Sequence, residues 1–465
     1  MLIDERIALA HTAVKREEWD QAWSIVRDAL NEDPENPAGL YLLALCMRAQ
    51  NHTAGAMVVL RRVLAIAPKK VNVWMHYGAC LHDLSRFDEA REAFLMVHKE
   101  LPDDPMPMAN IAAGYTQLGR ASLAIEWADK ALKLDPECRI ARIAKGFSCL
   151  SIGRWSDGWE HLSELYGDTL VTRIYNPPGN EEPEWDGTHG KTVVVQCDQG
   201  VGDQIMFSQC IPDLQAVSRK VIIECSERMV PLFKRNFPGV EVHGTLKHKN
   251  VNWAVKAGID AHIHISGLGK WFRKRDSDFT RRAYLKPDPV LVSKWKEWLA
   301  KFPKPWVGIA WRGGLPQTGK ADRSIELNDY APLISRGTFF DLSYDDSGLE
   351  VSQWNIENDV QIKTPPIDRS NFDDTIALVA ALDDVVTVTT TLAHVCGAIG
   401  RHAYVLVPAV PQWRYAYRAD DGLGLVWYPS SSIRLYRRDH GEKTFENAIK
   451  RVAKDMNAIR SLRVA

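Results

Sequence analysis

Three short segments carry residue types able to handle a phosphorylated substrate, and each follows a run of apolar, β-branched residues. The first is Asp198-Gln199-Gly200-Val201-Gly202-Asp203-Gln204, after Val193–Val195. Gly200 and Gly202 permit a tight turn and close approach of backbone to a ligand. Asp203 falls in the first turn of the helix that Ile205, Met206 and Phe207 continue. A carboxylate there either partners the helix dipole or takes a proton from a substrate hydroxyl. The second is Trp311-Arg312-Gly313-Gly314 running to Lys320, Arg323 and Ser324, after Trp306–Ala310. Its three cations and glycine pair are enough to hold a diphosphate without a metal, the plainer alternative being a solvated charged loop. The third is Thr389-Thr390-Thr391-Leu392-Ala393-His394, which follows Val385–Val388 and opens a helix. Hydroxyls and free N–H groups at a helix start make an anion site. Simple N-capping by Thr390 or Thr391, and a structural His394, are the plainer alternatives. Beyond Tyr404–Val407, the residues Gln412, Trp413 and Arg414 add further candidates.

These loops need strands to hold them. Val221–Ile223 and Phe339–Leu342 join the four runs above, and amphipathic helical stretches at 227–236, 288–302 and 374–382 lie between. Such alternation predicts parallel sheets with helices on both faces. The span is too long for one small sheet, so two doubly wound halves are expected, at roughly 190–290 and 305–430. Ligands of open parallel sheets sit beyond the carboxyl ends of the strands.

The first third is built differently. Pro34, Pro68, Pro102 and Pro136 are spaced by 34 residues throughout. With each proline at position 32 of a frame, position 8 is Ala10, Ala44, Gly78, Ala112 and Gly146, and position 20 is Ala22, Ala56, Ala90 and Ala124. Small residues let two antiparallel helices approach, and proline stops the second. The period and its small positions resemble tetratricopeptide repeats, four full units and a fifth that degenerates after Gly146. Trp155 and Trp159 are either contacts between the last unit and whatever follows it or simply hydrophobic core.

Composition sets the remaining bounds. With 58 Lys+Arg against 59 Asp+Glu the net charge is −1, which argues against a broad nucleic-acid footprint. No apolar run suffices for a membrane span, and the first residues lack a secretory pattern. The eight Cys are scattered without a C-x-x-C pair, the pattern of reduced, mostly buried thiols in a cytoplasmic protein.

From about residue 155 to 460 the chain resembles the transferase domain of bacterial tetratricopeptide-containing glycosyltransferases, relatives of the ADP-heptose:lipopolysaccharide heptosyltransferase superfamily. The landmarks, in family order, are Pro183-Glu184-Trp185-Asp186-Gly187, the loop Gln199–Asp203 with Phe207, and Tyr284-Leu285-Lys286-Pro287-Asp288. Then come Ala310-Trp311, Arg323-Ser324-Ile325, Phe372-Asp373-Asp374-Thr375, Ala393-His394, Gly397-Ala398, Trp413-Arg414 and Trp427-Tyr428-Pro429. The resemblance implies an α plus α/β chain: an all-α solenoid over 1–165, a linker at 166–190, and a GT-B glycosyltransferase. Its acceptor subdomain would span 191–303 and its nucleotide-sugar subdomain, with a C-terminal helix, 304–465.

The same resemblance implies inverting, metal-independent transfer with no cofactor besides the nucleotide-sugar donor. Asp203 becomes the candidate base. Gly200, Gly202, Arg312, Lys320, Arg323, Thr390, Thr391 and His394 become the donor-phosphate set, with Gln412, Trp413 and Arg414 on the donor side. Two departures stand out: family members often carry Val-Asp-Thr where this chain has Val388-Thr389-Thr390, and Arg312-Gly313-Gly314 is atypical after Trp311. The expected function is sugar transfer to Ser or Thr of a protein held by the repeats, with flagellin or another surface protein as the kind of acceptor. The alternatives are a transferase for a cell-surface glycan and a non-catalytic scaffold with a decayed transferase domain.

Overall fold

The computed structural model describes residues 2–168, 182–197, 200–244, 258–314, 320–334, 337–344, 347–417 and 424–464. Most of the expected linker at 166–190, and Asp198 and Gln199, lie outside the described residues. The chain divides into two compact units, Met1–Cys149 and Leu150–Ala465.

The first unit is helical throughout. Its paired helices are Ile3–Lys15 with Trp19–Glu32, Pro37–Ala49 with Thr53–Ile66, Val71–Asp83 with Phe87–Glu100, and Pro105–Gln117 with Ala121–Leu134. Ala10, Ala44, Ala112, Ala22, Ala56, Ala90 and Ala124 are all buried. At Gly78 a Cβ would stand 2.7 Å from the Phe94 ring, so the small residue sets how closely that pair packs. Each proline of the period lies in the turn after a second helix. Asn36 and Asp104 cap the following helices through their side chains. One regularity has no residue-type signature. Glu17, Asn51, Ser85, Gly119 and Gly153, all at position 15 of the frame, have φ between 58° and 78°. The inter-helix turn needs a left-handed residue, and only two of the five are glycine.

The expected decay of the fifth repeat after Gly146 is corrected by the structure. Arg139–Ser151 and Trp155–Asp168 keep the same register and the same left-handed Gly153. The second of these helices falls within the second unit. Its Trp155 donates to Asp276 Oδ1 (2.6 Å), and Trp159 donates to the Arg273 carbonyl (2.8 Å) and packs on Gly269.

The second unit contains two wholly parallel sheets. One is formed by β1 (Thr192–Gln196), β2 (Lys220–Cys225), β3 (Glu241–Gly244) and β4 (Ala261–His264) in the order β3-β2-β1-β4. The other is formed by β5 (Trp306–Ala310), β6 (Thr338–Asp341), β7 (Ile362–Lys363), β8 (Asp384–Val388), β9 (Ala403–Val407) and β10 (Ile433–Arg437), ordered β10-β9-β8-β5-β6-β7. The strands β1, β5, β8 and β9 are buried at every residue, as parallel strands covered on both faces must be. The C-terminal helix Glu446–Val464 closes the second core, placing Ala448, Ile449, Val452 and Met456 with Val307, Val386 and Tyr404.

Polar ties fix one sheet's helices to the other's. Arg235 makes a two-pronged ion pair with Asp373. Tyr284 donates to the Ile205 carbonyl (2.7 Å), while its own N–H donates to Ala398 O (2.9 Å). Gln209 donates to the Trp427 carbonyl (2.6 Å) and accepts from the fully buried Arg273. Among the described residues no helix is long and apolar enough to cross a membrane, and all eight cysteines are free and buried.

Candidate active site between the two sheets

The loops at the carboxyl ends of β1, β2, β5, β6, β7, β8 and β9 line one cleft of about 610 Å³. That volume suits a nucleotide-sized ligand. Gly200, Gly202, Asp203, Arg312, Lys320, Arg323, Thr390, Thr391, His394, Gln412 and Arg414 all line it. The fold therefore gathers from separate loops the residues singled out by type and spacing.

On the β1 side, Gly200 is the N-cap of the helix Val201–Phe207. That helix packs against Thr391–Ile399, the helix after β8. A Cβ on Gly202 would stand 3.0 Å from the His394 ring and 3.5 Å from Thr391 Cα, so glycine sets their spacing. Asp203 Oδ1 accepts from Arg414 Nε at 2.6 Å. The contact fixes the carboxylate and leaves Oδ2 for a second partner. It also delivers a β9-loop cation beside the β1-loop acid.

On the β5 side, Arg312 is already engaged: its Nε donates to Glu350 Oε2 (3.0 Å), an oxygen that also accepts from Trp311 Nε1 (2.8 Å). Its charge serves the loop first. Gly313 N–H donates to Ser324 Oγ, which donates to the Lys320 carbonyl, and a Cβ on Gly313 would meet that carbonyl at 3.0 Å. This folds Lys320–Arg323 back over the loop. Arg323 is half-buried and donates to Thr389 O (2.8 Å); burial lowers its pKa from the ordinary guanidinium value.

The β8 loop departs from plain capping. Thr390 occupies the N-cap position, but its hydroxyl pairs with Thr387 Oγ1 (3.1 Å) and not with the helix start. The first N–H groups of the helix are thus not capped by that side chain. Thr389 is buried, and its hydroxyl has no partner among the described residues.

His394 does not serve as a phosphate ligand, and the reason is local. Its Nδ1 lies 2.7 Å from Tyr428 Oη and its Nε2 lies 2.9 Å from Tyr415 Oη, so both ring nitrogens are taken. Burial pushes its pKa down to about 4, so the ring is neutral. It is a post between the two helices. Trp413 also leaves the candidate donor side. It is buried against Phe207 and Trp159 and is absent from the cleft lining. Sequence reasoning passed over Arg228, Ser343, Tyr344, Arg369 and Tyr415, which also line the cleft. The position of Tyr344 just past the run Phe339–Leu342 was the available signal for it.

Residues 15–97 match the family model described as anaphase-promoting complex, cyclosome, subunit 3, and residues 108–138 match that of the tetratricopeptide repeat. The chain is 27% identical over 423 residues to Protein FlbA of Caulobacter vibrioides, covering 85% of this chain and 69% of that protein. It is 27% identical over 133 residues to a TPR repeat-containing protein of Pseudomonas aeruginosa, covering 28% of this chain and 22% of that one. Similar solved structures include the MamA RS-1 ArsTM double mutant, at 18% identity and TM-score 0.33, covering 36% of this chain and 93% of that one. Another is PilW, described as a widely conserved type IV pilus biogenesis factor, at 19% identity and TM-score 0.34, covering 37% and 80%. With the 34-residue register and the family matches together, the first unit is a stack of tetratricopeptide repeats.

Proposed function

We propose that the second unit is a GT-B glycosyltransferase that moves a sugar from a nucleotide-sugar donor to a Ser or Thr hydroxyl of a protein recruited by the repeats. The observation that carries this reading is the convergence of Asp203, Lys320, Arg323 and the Thr391 helix start in one cleft beyond two parallel sheets. Asp203 Oδ2 takes the proton of the acceptor hydroxyl as its oxygen attacks the anomeric carbon. The bond from that carbon to the donor phosphate breaks, and the electron pair leaves with the nucleotide. Lys320, Arg323 and the N–H groups at the helix start meet the charge that develops there. Attack opposite the departing phosphate inverts the anomeric centre. These cations supply the role that a divalent ion has elsewhere, so the reaction is proposed to be metal-independent, with no cofactor besides the donor. We place it in the cytoplasm.

Intact-mass analysis of surface proteins, flagellin included, from cells with and without the gene tests the proposal. One acceptor is expected to lose a discrete sugar mass and to regain it when the purified chain and donor are supplied. Unchanged protein masses with an altered surface glycan would instead identify the glycan transferase. Unchanged masses and glycans, with no nucleotide sugar bound, would leave the scaffold.

A further inference from the structure

The arginines of the cleft divide into two kinds. Arg312 is paired with Glu350, Arg414 is paired with Asp203, and Arg323 is tied to the Thr389 carbonyl. Arg228 and Arg369 have no carboxylate partner among the described residues. Arg228, after β2, donates one hydrogen bond to Tyr344 Oη (3.1 Å) and stands 5.4 Å from the Tyr344 ring and 5.7 Å from Phe372. Arg369, after β7, donates to the carbonyls of Ser343 (3.1 Å) and Tyr344, and stands 5.7 Å from the same ring. A guanidinium has five N–H donors, so each keeps most of them unused. Two like charges from different sheets converge on one tyrosine that is 67% exposed. Beside it the Ser343 hydroxyl is buried, lines the cleft and has no partner among the described residues.

Sheet order sets these groups apart from the others. β6 and β7 form one end of the second sheet, whereas Lys320–Arg323, Thr390 and Arg414 follow β5, β8 and β9. Tyr344, to whose carbonyl Arg369 reaches back, follows β6, two strand spacings from β8, roughly 10 Å at about 4.8 Å each. One phosphate at the Thr391 helix start does not also satisfy the Tyr344 end.

We propose that Arg228 and Arg369, held around Tyr344, form a second anion subsite that takes a carboxylate or phosphate oxyanion carried by a bound substrate. The two forks present planar pairs of donors suited to either oxyanion. Neither cation has a carboxylate partner among the described residues, and a ligand anion supplies one to each. The inference concerns binding and does not depend on sugar transfer.

Arginine-specific labelling of the full chain with phenylglyoxal, read peptide by peptide in the mass spectrometer, tests it. Arg228 and Arg369 are expected to react in the free protein. Protection of both by inorganic phosphate identifies a phosphate subsite, and protection by glucuronate identifies a carboxylate one. Half-protection is expected at about 1–10 mM, ordinary for a small anion between two charged forks. Arg228→Gln should raise the concentration needed at Arg369 by about tenfold or more. Asp345 and Asp346 follow Tyr344 outside the described residues, so the labelling is repeated on the D345N/D346N chain. Arginines unreactive until those two are replaced are already neutralised, and the proposal falls. It also falls if neither anion protects, or if neutral glucose protects equally.

Discussion

At the scale of the residue, Asp203 and His394 do opposite jobs in the same cleft. Asp203 shares one oxygen, Oδ1, with Arg414, and in the proposed reaction the other takes the acceptor's proton. Asp203→Asn preserves an acceptor for Arg414 but removes the base. Single-turnover transfer should fall about 10²–10⁴-fold, while donor affinity stays the same or rises because Arg414 is less neutralised. Lys320→Ala and Arg323→Ala should do the reverse, weakening donor affinity about ten- to a hundredfold by calorimetry. An active Asp203→Asn enzyme would remove the base from the mechanism. His394 acts through neutrality. Burial holds its pKa near 4, below the value of about 6.5 expected when unfolded. The unfolded chain therefore binds the extra proton first, and stability is lost as pH falls from about 6.5 towards 4. The loss reaches about 3 kcal/mol in the second unit's transition. His394→Gln should flatten that part of the melting-temperature profile. A variant with the same slope between about pH 6.5 and 4.5 would assign the acid sensitivity to other groups.

At the scale of the element, helix spacing decides whether the cleft keeps its shape. Gly200 and Gly202 belong to the same loop, yet their surroundings differ. A Cβ on Gly200 meets only an Asp203 oxygen at 3.9 Å, whereas one on Gly202 meets the pinned His394 ring at 3.0 Å. His394 cannot yield without breaking a tyrosine contact on either side. Gly200→Ala should therefore change stability by less than about 1 kcal/mol, the ordinary size of an N-cap exchange. Gly202→Ala should cost about 1–3 kcal/mol through overpacking, despite alanine's better helix propensity. Parallel denaturant titrations decide the matter; equal losses would mean that the spacing is not set by this glycine. In the solenoid the corresponding constraint is the left-handed position 15, which Glu17, Asn51 and Ser85 satisfy against their steric preference.

At the scale of the whole molecule, a repeat stack and a ligand cleft belong to separate compact units. If the repeats recruit the acceptor, removing residues 1–135 should abolish modification of the protein acceptor and leave slow donor hydrolysis by the second unit. The cut keeps the fifth helix pair, Arg139–Ser151 with Trp155–Asp168, whole. Circular dichroism must first establish that the shortened chain folds, because unstacking repeats exposes apolar surface. Full-rate acceptor modification by a folded, shortened chain would end the recruitment role.

The sequence alone determined the periodic part of this protein. A 34-residue period repeats one local interaction, so Ala22, Ala56, Ala90 and Ala124 announce the helix pairs by themselves. It also located β1, β2, β5, β6, β8 and β9, which read as apolar runs because parallel strands away from the sheet edges are covered on both faces. The four strands it did not reveal, β3, β4, β7 and β10, are the four sheet edges. There β3 and β4 alternate polar and apolar residues, β10 is broken up by Arg434 and Arg437, and β7 is two residues long. The loops of the site were legible because chemistry-bearing residues stand just past buried strands. Their partners were not. Asp203 and Arg414 are 211 residues apart, Arg312 and Glu350 are 38, and Arg228 meets Tyr344 across 116. Which cations are neutralised, which histidine is pinned and which tryptophan turns into the core depend on long-range packing that no local spacing encodes.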